Sequence, residues 1–205
     1  MANYGGEGSV TELEASTGAL VRVISGGAYQ FDGPSALVLD GPDLFVANVG
    51  GGYASGDEGP GGTVTELKAS TGALVRVMTG SSDGPYEFDG PDAIVADGPD
   101  LFVANTGENN GSSVIELEAS TGALVTPPAH STSLEGDDAT AMVVDGTDLF
   151  VGNGGGVTEF NTATGAIVRD LTDSGYPVSG CSAMVLDGPD LFVANSGGTV
   201  TEFPA

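Results

Sequence analysis

The string DGPDLFVAN at residues 40–48 returns unchanged at 97–105 and 187–195, and once more as DGTDLFVGN at 145–153. The four copies start 57, 48 and 42 residues apart, a spacing close to that of one supersecondary unit per repeat. A second string travels with the first. VTELEASTGALVRV begins at Val10, VTELKASTGALVRV at Val64, and altered forms begin at Val114 (VIELEASTGALVTP) and Val157 (VTEFNTATGAIVRD); a last VTEF ends at Phe203.

Each repeat resolves into four short strands. They are A (SALVLD, 35–40), B (LFVAN, 44–48), C (TVTEL, 63–67) and D (ALVRV, 73–77). Asp-Gly-Pro-Asp joins A to B, with Gly free to take positive φ and Pro holding φ near −65°, so the chain reverses within a few residues. Ala-Ser-Thr-Gly joins C to D in the same manner. Consecutive hairpins of this kind build an antiparallel meander, and the short Val-rich apolar runs closed by Gly, Pro and Asp leave no room for helices. Strand A, with Leu37, Val38 and Leu39 in a row, is predicted to lie innermost between neighbouring sheets. Strand D, interrupted by Arg22, Arg76 and Arg169, is predicted to have a wet face.

An isolated sheet of this composition leaves an apolar face bare, and radial stacking of the repeats covers it. The predicted fold is therefore an all-β propeller of four-stranded antiparallel blades, about four per chain, as a single domain over residues 1–205. An N-terminal half-blade spans 9–25, blades span 35–78, 92–126 and 139–170, and a partial C-terminal blade spans 182–203. The C-terminal part supplies A, B and C strands without a D, whereas Ala2-Asn3 at the other end matches Ala47-Asn48 inside a blade. The N-terminal C–D pair is thus expected to complete the last blade, or a second chain to share the ring, so the protein reads as a monomer or a homodimer and also as a piece of a longer repeat array.

The pattern DGPSALVLDGPDLFVAN…TVTELKASTGALVRV resembles the NHL, YVTN and virginiamycin B lyase-like propeller repeats over nearly the whole chain. The resemblance implies the blade architecture. It does not choose a function, because such propellers include lyases, ligand-binding modules and interaction scaffolds.

Composition narrows the partners. With 29 acidic and four basic residues among 205, the formal charge is −25. Arg22, Lys68, Arg76 and Arg169 cannot assemble the basic stripe that a phosphate backbone requires, so nucleic acid is excluded as a partner, and an anionic membrane surface is disfavoured for the same reason. The acidity fits a solvated, self-repelling surface, adaptation to a salty medium, or binding of divalent cations. No run of about 18 apolar residues is present, nor an export signal, and the single Cys181 has no disulfide partner within the chain and reads as a small buried thiol.

The resemblance to lyases implies a catalytic His, further polar groups and magnesium. The one histidine, His130, stands in the atypical loop PPAHSTSLEGDD with no second base of its type, and the residues supply no complete lyase set and no G-x-S-x-G elbow. No catalytic residue, no bound metal and no cofactor are therefore assigned, calcium being the one cation the carboxylates would suit. The aspartate pairs Asp40/Asp43, Asp97/Asp100, Asp145/Asp148 and Asp187/Asp190 read as caps of their own turns. The D–A and B–C connections are long and unequal, and irregularity gathered on one side of a regular array is where binding resides. The candidate binding residues there are Tyr29, Tyr53, Tyr86 and Tyr176, with the asparagines that end strand B, Asn48, Asn105, Asn153 and Asn195. Each asparagine also suits a strand exit, and each tyrosine also suits a lid over the blade core. The expected function is a non-enzymatic binding or assembly scaffold. Its alternatives are a lyase-like enzyme with a metal on the loop face and a calcium-stabilised surface protein.

Overall fold

A computed structural model describes the chain apart from residues 4–7, 51–61, 81–85, 87, 107–111, 126–137, 172–177, 179 and 205. Its contacts gather into two compact units, Met1–Ile94 and Val95–Ala205. The first unit opens with a sheet of β1 (Ala2–Asn3), β2 (Ser9–Leu13) and β3 (Leu20–Ser25), and a second sheet follows with β4 (Pro34–Asp40), β5 (Asp43–Asn48), β6 (Thr63–Lys68) and β7 (Leu74–Thr79). β8 (Pro91–Asp97) runs across the boundary and joins β9 (Asp100–Asn105) and β10 (Ser113–Glu118) in the third sheet. The fourth comprises β11 (Ala141–Asp145), β12 (Asp148–Gly152), β13 (Val157–Asn161) and β14 (Ile167–Asp170), and the fifth β15 (Cys181–Asp187), β16 (Asp190–Asn195) and β17 (Thr199–Pro204). In every sheet the strands lie in chain order, and neighbouring strands pair antiparallel, as consecutive hairpins require.

Turn chemistry sets the register. In the second sheet Asp40 faces Asp43 across a two-residue Gly-Pro loop, and Gly41 has φ of 53°. Positive φ at the first central position followed by the fixed φ of proline is the II′ geometry whose twist matches that of the strands. Gly98 and Gly188 repeat it before proline, and Gly146, with φ of 59°, takes positive φ before Thr147. At the C–D turns, the amide of Gly72 donates to Lys68 O and that of Gly18 to Glu14 O, both at 2.7 Å. The register slips by one residue just before each of these two turns, between Glu66 and Leu67 and between Glu12 and Leu13.

One sequence expectation needs correction. Strand A is not the most buried strand. β4 exposes Leu37 and Leu39, whereas β5 and β6 bury nearly everything, because A is the edge of its sheet while B and C have a strand on both sides. Among the described residues, the D strand of the third repeat meets β10 at a bridge between Leu117 and Leu124, with Val125 N donating to Glu116 O at 3.0 Å. In the first sheet β2 pairs with β1 on one side and β3 on the other: Ala2 faces Val10 and Asn3 faces Ser9, the same register in which Ala47 faces Val64 and Asn48 faces Thr63.

Sheet packing follows one rule inside each unit. The C strand alternates, so that in β2 Val10 and Glu12 share one face and Thr11 and Leu13 the other. Val10 and Ile24 of the first sheet pack with Val46, Leu67 and Leu44 of the second, under Phe31 and Tyr29. In the second unit, Ala141, Phe150 and Val157 of the fourth sheet pack with Leu191, Val193 and Phe203 of the fifth. The Val face of one sheet thus rests on the Leu/Phe face of the next, and Phe45, Phe102 and Phe150 are almost wholly buried in their respective sheets.

Candidate functional site

The connections fall at opposite ends of each sheet. A–B and C–D turns sit together, since Ala69 N donates to Pro42 O, Ala119 N to Pro99 O and Thr162 N to Thr147 O at 2.8 to 2.9 Å. The D–A and B–C connections meet at the other end: Val49 N donates to Gly33 O, Gly80 N to Gly62 O and Gly180 N to Gly154 O, each at 3.0 Å. That second end is where the sequence places its candidate contacts.

The four asparagines that end strand B are buried and their amides are used within the fold. Asn48 Nδ2 reaches Thr63 Oγ1 at 3.1 Å and Thr65 Oγ1 at 3.3 Å, and Asn195 Nδ2 reaches Thr199 Oγ1 and Thr201 Oγ1 at 3.1 and 3.0 Å. Asn105 Nδ2 donates to Ser113 Oγ at 3.1 Å, whereas Asn153 Oδ1 accepts from the amides of Gly155 and Gly156 at 2.8 Å and so closes the short Gly-Gly-Gly turn. Asn3, the fifth copy, donates to Ser9 Oγ and Thr11 Oγ1. This chain of bonds continues: Thr65 Oγ1 donates to Tyr29 O at 2.7 Å and ties the D–A connection of the first repeat onto the second sheet. For Asn48 and Asn195 the threonines of the VTE string were the signal of that role, a hydroxyl at two-residue intervals across the ladder, whereas Asn105 faces Ser113, with Ile115 two residues on.

Tyr29 is half-buried. Its ring stacks on Phe31 with centroids 5.3 Å apart and its hydroxyl donates to Gly72 O at 3.1 Å, so it covers the apolar cluster between the first two sheets. Tyr86 stacks on Phe88 at the same 5.3 Å separation. Tyr53, Tyr176 and His130 lie outside the described residues.

Buried carboxylates mark the C strands. Glu66 pairs with Arg76 and Glu159 with Arg169, each across the C–D ladder, and Glu12 pairs with Arg22 at 2.6 Å. The arginines also reach forward. Arg22 donates to the carbonyls of Ser70 (3.1 Å) and Ala69 in the next sheet, and Arg169 Nη1 to Pro204 O at 3.2 Å. At the turn end, Lys68 Nζ lies 2.6 Å from Asp43 Oδ1. The third repeat has Thr126 where Arg76 stands in the second, and Glu118 where Lys68 stands. Burial pushes the carboxyl of Glu116 above its ordinary pKa, aided by the charge of Asp100; burial, then Asp97 and Glu118, do the same to Asp100. The thiol of buried Cys181 is pushed up to about 11 by burial, which keeps it un-ionised near neutrality. Among the described residues no group of three or more His, Cys, Asp or Glu side chains is arranged to hold a metal ion.

Comparison with known proteins bears on the fold. No family model and no curated protein matches the chain. Among solved structures it is similar to the computationally designed Ika4 protein (TM-score 0.59, 18% identity, 83% of this chain and 90% of that one). It also resembles a gluconolactonase from Xanthomonas campestris (TM-score 0.65, 17% identity, 95% of this chain and 64% of that one) and the WD40 β-propeller domain of Doa1 (TM-score 0.67, 12% identity, 98% and 62%). The chain spans less than two thirds of the last two. At such identities the likeness speaks for architecture alone, and together with the meander sheets it makes this chain a β-propeller repeat protein.

Proposed function

We propose that the chain is a non-enzymatic propeller module of the NHL and YVTN kind that serves as a binding or assembly scaffold. One observation carries this reading: the polar side chains that recur in every repeat are already committed to holding strands together. The asparagines bond to Thr and Ser hydroxyls or to turn amides, and the C-strand glutamates of the second and fourth repeats bond to arginines. What varies between repeats is the set of D–A and B–C connections, and a partner would read those, with Tyr29, Tyr53, Tyr86 and Tyr176 supplying amphipathic contact area.

A lactone-opening enzyme is the competing reading, because one structural neighbour is a gluconolactonase. Incubating the protein with gluconolactone, with and without magnesium or calcium, separates the two. The scaffold reading expects hydrolysis no faster than in buffer. Acceleration that disappears in His130→Ala would overturn it.

A further inference from the structure

Among the described residues, one face of the first sheet and one face of the fifth expose large apolar side chains. In the first sheet the Leu face is open: Leu13 is 41% exposed where Leu67 is 0%, and Val23 stands exposed beside it. In the fifth sheet the Val face is open: Val200 is 69% exposed where Val64 is 0%, Val185 is exposed, and Phe192 is only half-buried where its three counterparts are covered. Register places Val185, Phe192 and Glu202 in one row across β15, β16 and β17, with Ala194 and Val200 on the same face. In the two interfaces described above the Val face of one sheet seats on the Leu/Phe face of the next. The open face of the fifth sheet is therefore of the kind that seats on the open face of the first.

We propose that a second copy of this chain docks head to tail, its first sheet laying Leu13 and Val23 against Val185, Phe192 and Val200 of the fifth. The contact continues an interface already made twice within the chain, with the same residue types at the same register. It is heterologous, one face of one copy against a different face of another, so it propagates until it closes. It stands whether or not the loops bind a ligand. Two features oppose it: the charge of −25 on each copy, and Glu202, which lacks the D-strand arginine that neutralises Glu66 and Glu159. Association is therefore favoured when salt shortens the reach of repulsion.

Light scattering on chromatographed protein at about 0.5 M NaCl, where the Debye length is well under 10 Å, tests the proposal. The wild type is expected at two or more multiples of 20.2 kDa. Val200→Lys and Leu13→Lys should each run at 20.2 kDa, and an equimolar mixture should recover a species of twice that mass, since one variant keeps a sound head and the other a sound tail. A wild type that stays at 20.2 kDa at every concentration, as it would if the chain satisfied both faces itself, overturns the proposal. So does a mixture that fails to associate. If Leu13→Lys keeps the wild-type mass while Val200→Lys loses it, two fifth sheets pair face to face and head-to-tail docking is wrong. Circular dichroism melting checks that the variants fold, and Val23→Lys and Val185→Lys take their place if they do not.

Discussion

β6 and β17 carry almost the same residues, TVTELK and TVTEFP, and end up in different surroundings. In β6 the run from Thr63 to Leu67 is buried, flanked by β5 and β7 and covered on both faces. In β17 only Thr201 and Phe203 are buried, on the face that meets the fourth sheet, while Val200 and Glu202 are exposed. An apolar side chain in this array is hidden by the next repeat and not by its own sheet. Repeat stability is accordingly a sum of intrinsic terms and nearest-neighbour interfaces, with the end repeats as the weak members.

The largest expected effect breaks the comparison directly. Val64→Asp places a charge with no designed partner in a sealed interface and should cost at least about 4 kcal/mol, a large part of the stability of an ordinary domain. Val200→Asp, at the aligned position, should cost within about 0.5 kcal/mol in dilute solution. Urea titration of both variants decides it, and equal losses would mean that the sequence string and not its neighbour sets the energetics.

A smaller effect sharpens the comparison through the glutamate of the same string. Glu159 is buried against Arg169, so Arg169→Met strands a carboxylate and should cost about 3 kcal/mol near neutrality. Glu116, with no arginine at the aligned position of its repeat, behaves in the opposite sense. Its carboxyl has a raised pKa in the folded chain, so the folded state holds the proton more tightly than the unfolded one. That contribution is present in full below the unfolded value near 4.5 and is lost as pH rises through the raised value. Glu116→Gln should therefore melt above the wild type at pH 7 and converge with it near pH 4, as followed by thermal denaturation. A variant less stable than the wild type by the same margin at both pH values would refute the sign.

Much of this fold was written in the sequence, because its turns are chemically explicit. Asp-Gly-Pro-Asp and Ser-Thr-Gly each demand a glycine at positive φ, and the structure gives 53° at Gly41 and 72° at Gly72. Strand composition fixed the meander for the same reason. Which strand lies deepest was not legible, since three apolar residues in a row at Leu37–Leu39 look like a buried strand whether they occupy an edge or a centre. At the candidate site, local residue type was ambiguous between holding the fold and contacting a ligand. For Asn48 and Asn195 the deciding fact is the position of Thr and Ser hydroxyls across the ladder, which becomes visible only when strands B and C are paired. The tyrosine signal was similarly two-sided, and the Phe two residues after Tyr29 and Tyr86 was what pointed to a lid.

Amide hydrogen exchange over the two VTE segments tests the central claim most directly, namely that like strands differ only in what lies beside them. Residues 63–68 have a paired strand on both sides, whereas among the described residues 199–204 pair with β16 alone. The account predicts slow exchange throughout the first segment and fast exchange at alternate amides of the second, those that point away from β16, whether or not a copy covers its face. Uniform protection of both would contradict it and would mean that a further strand completes the fifth sheet.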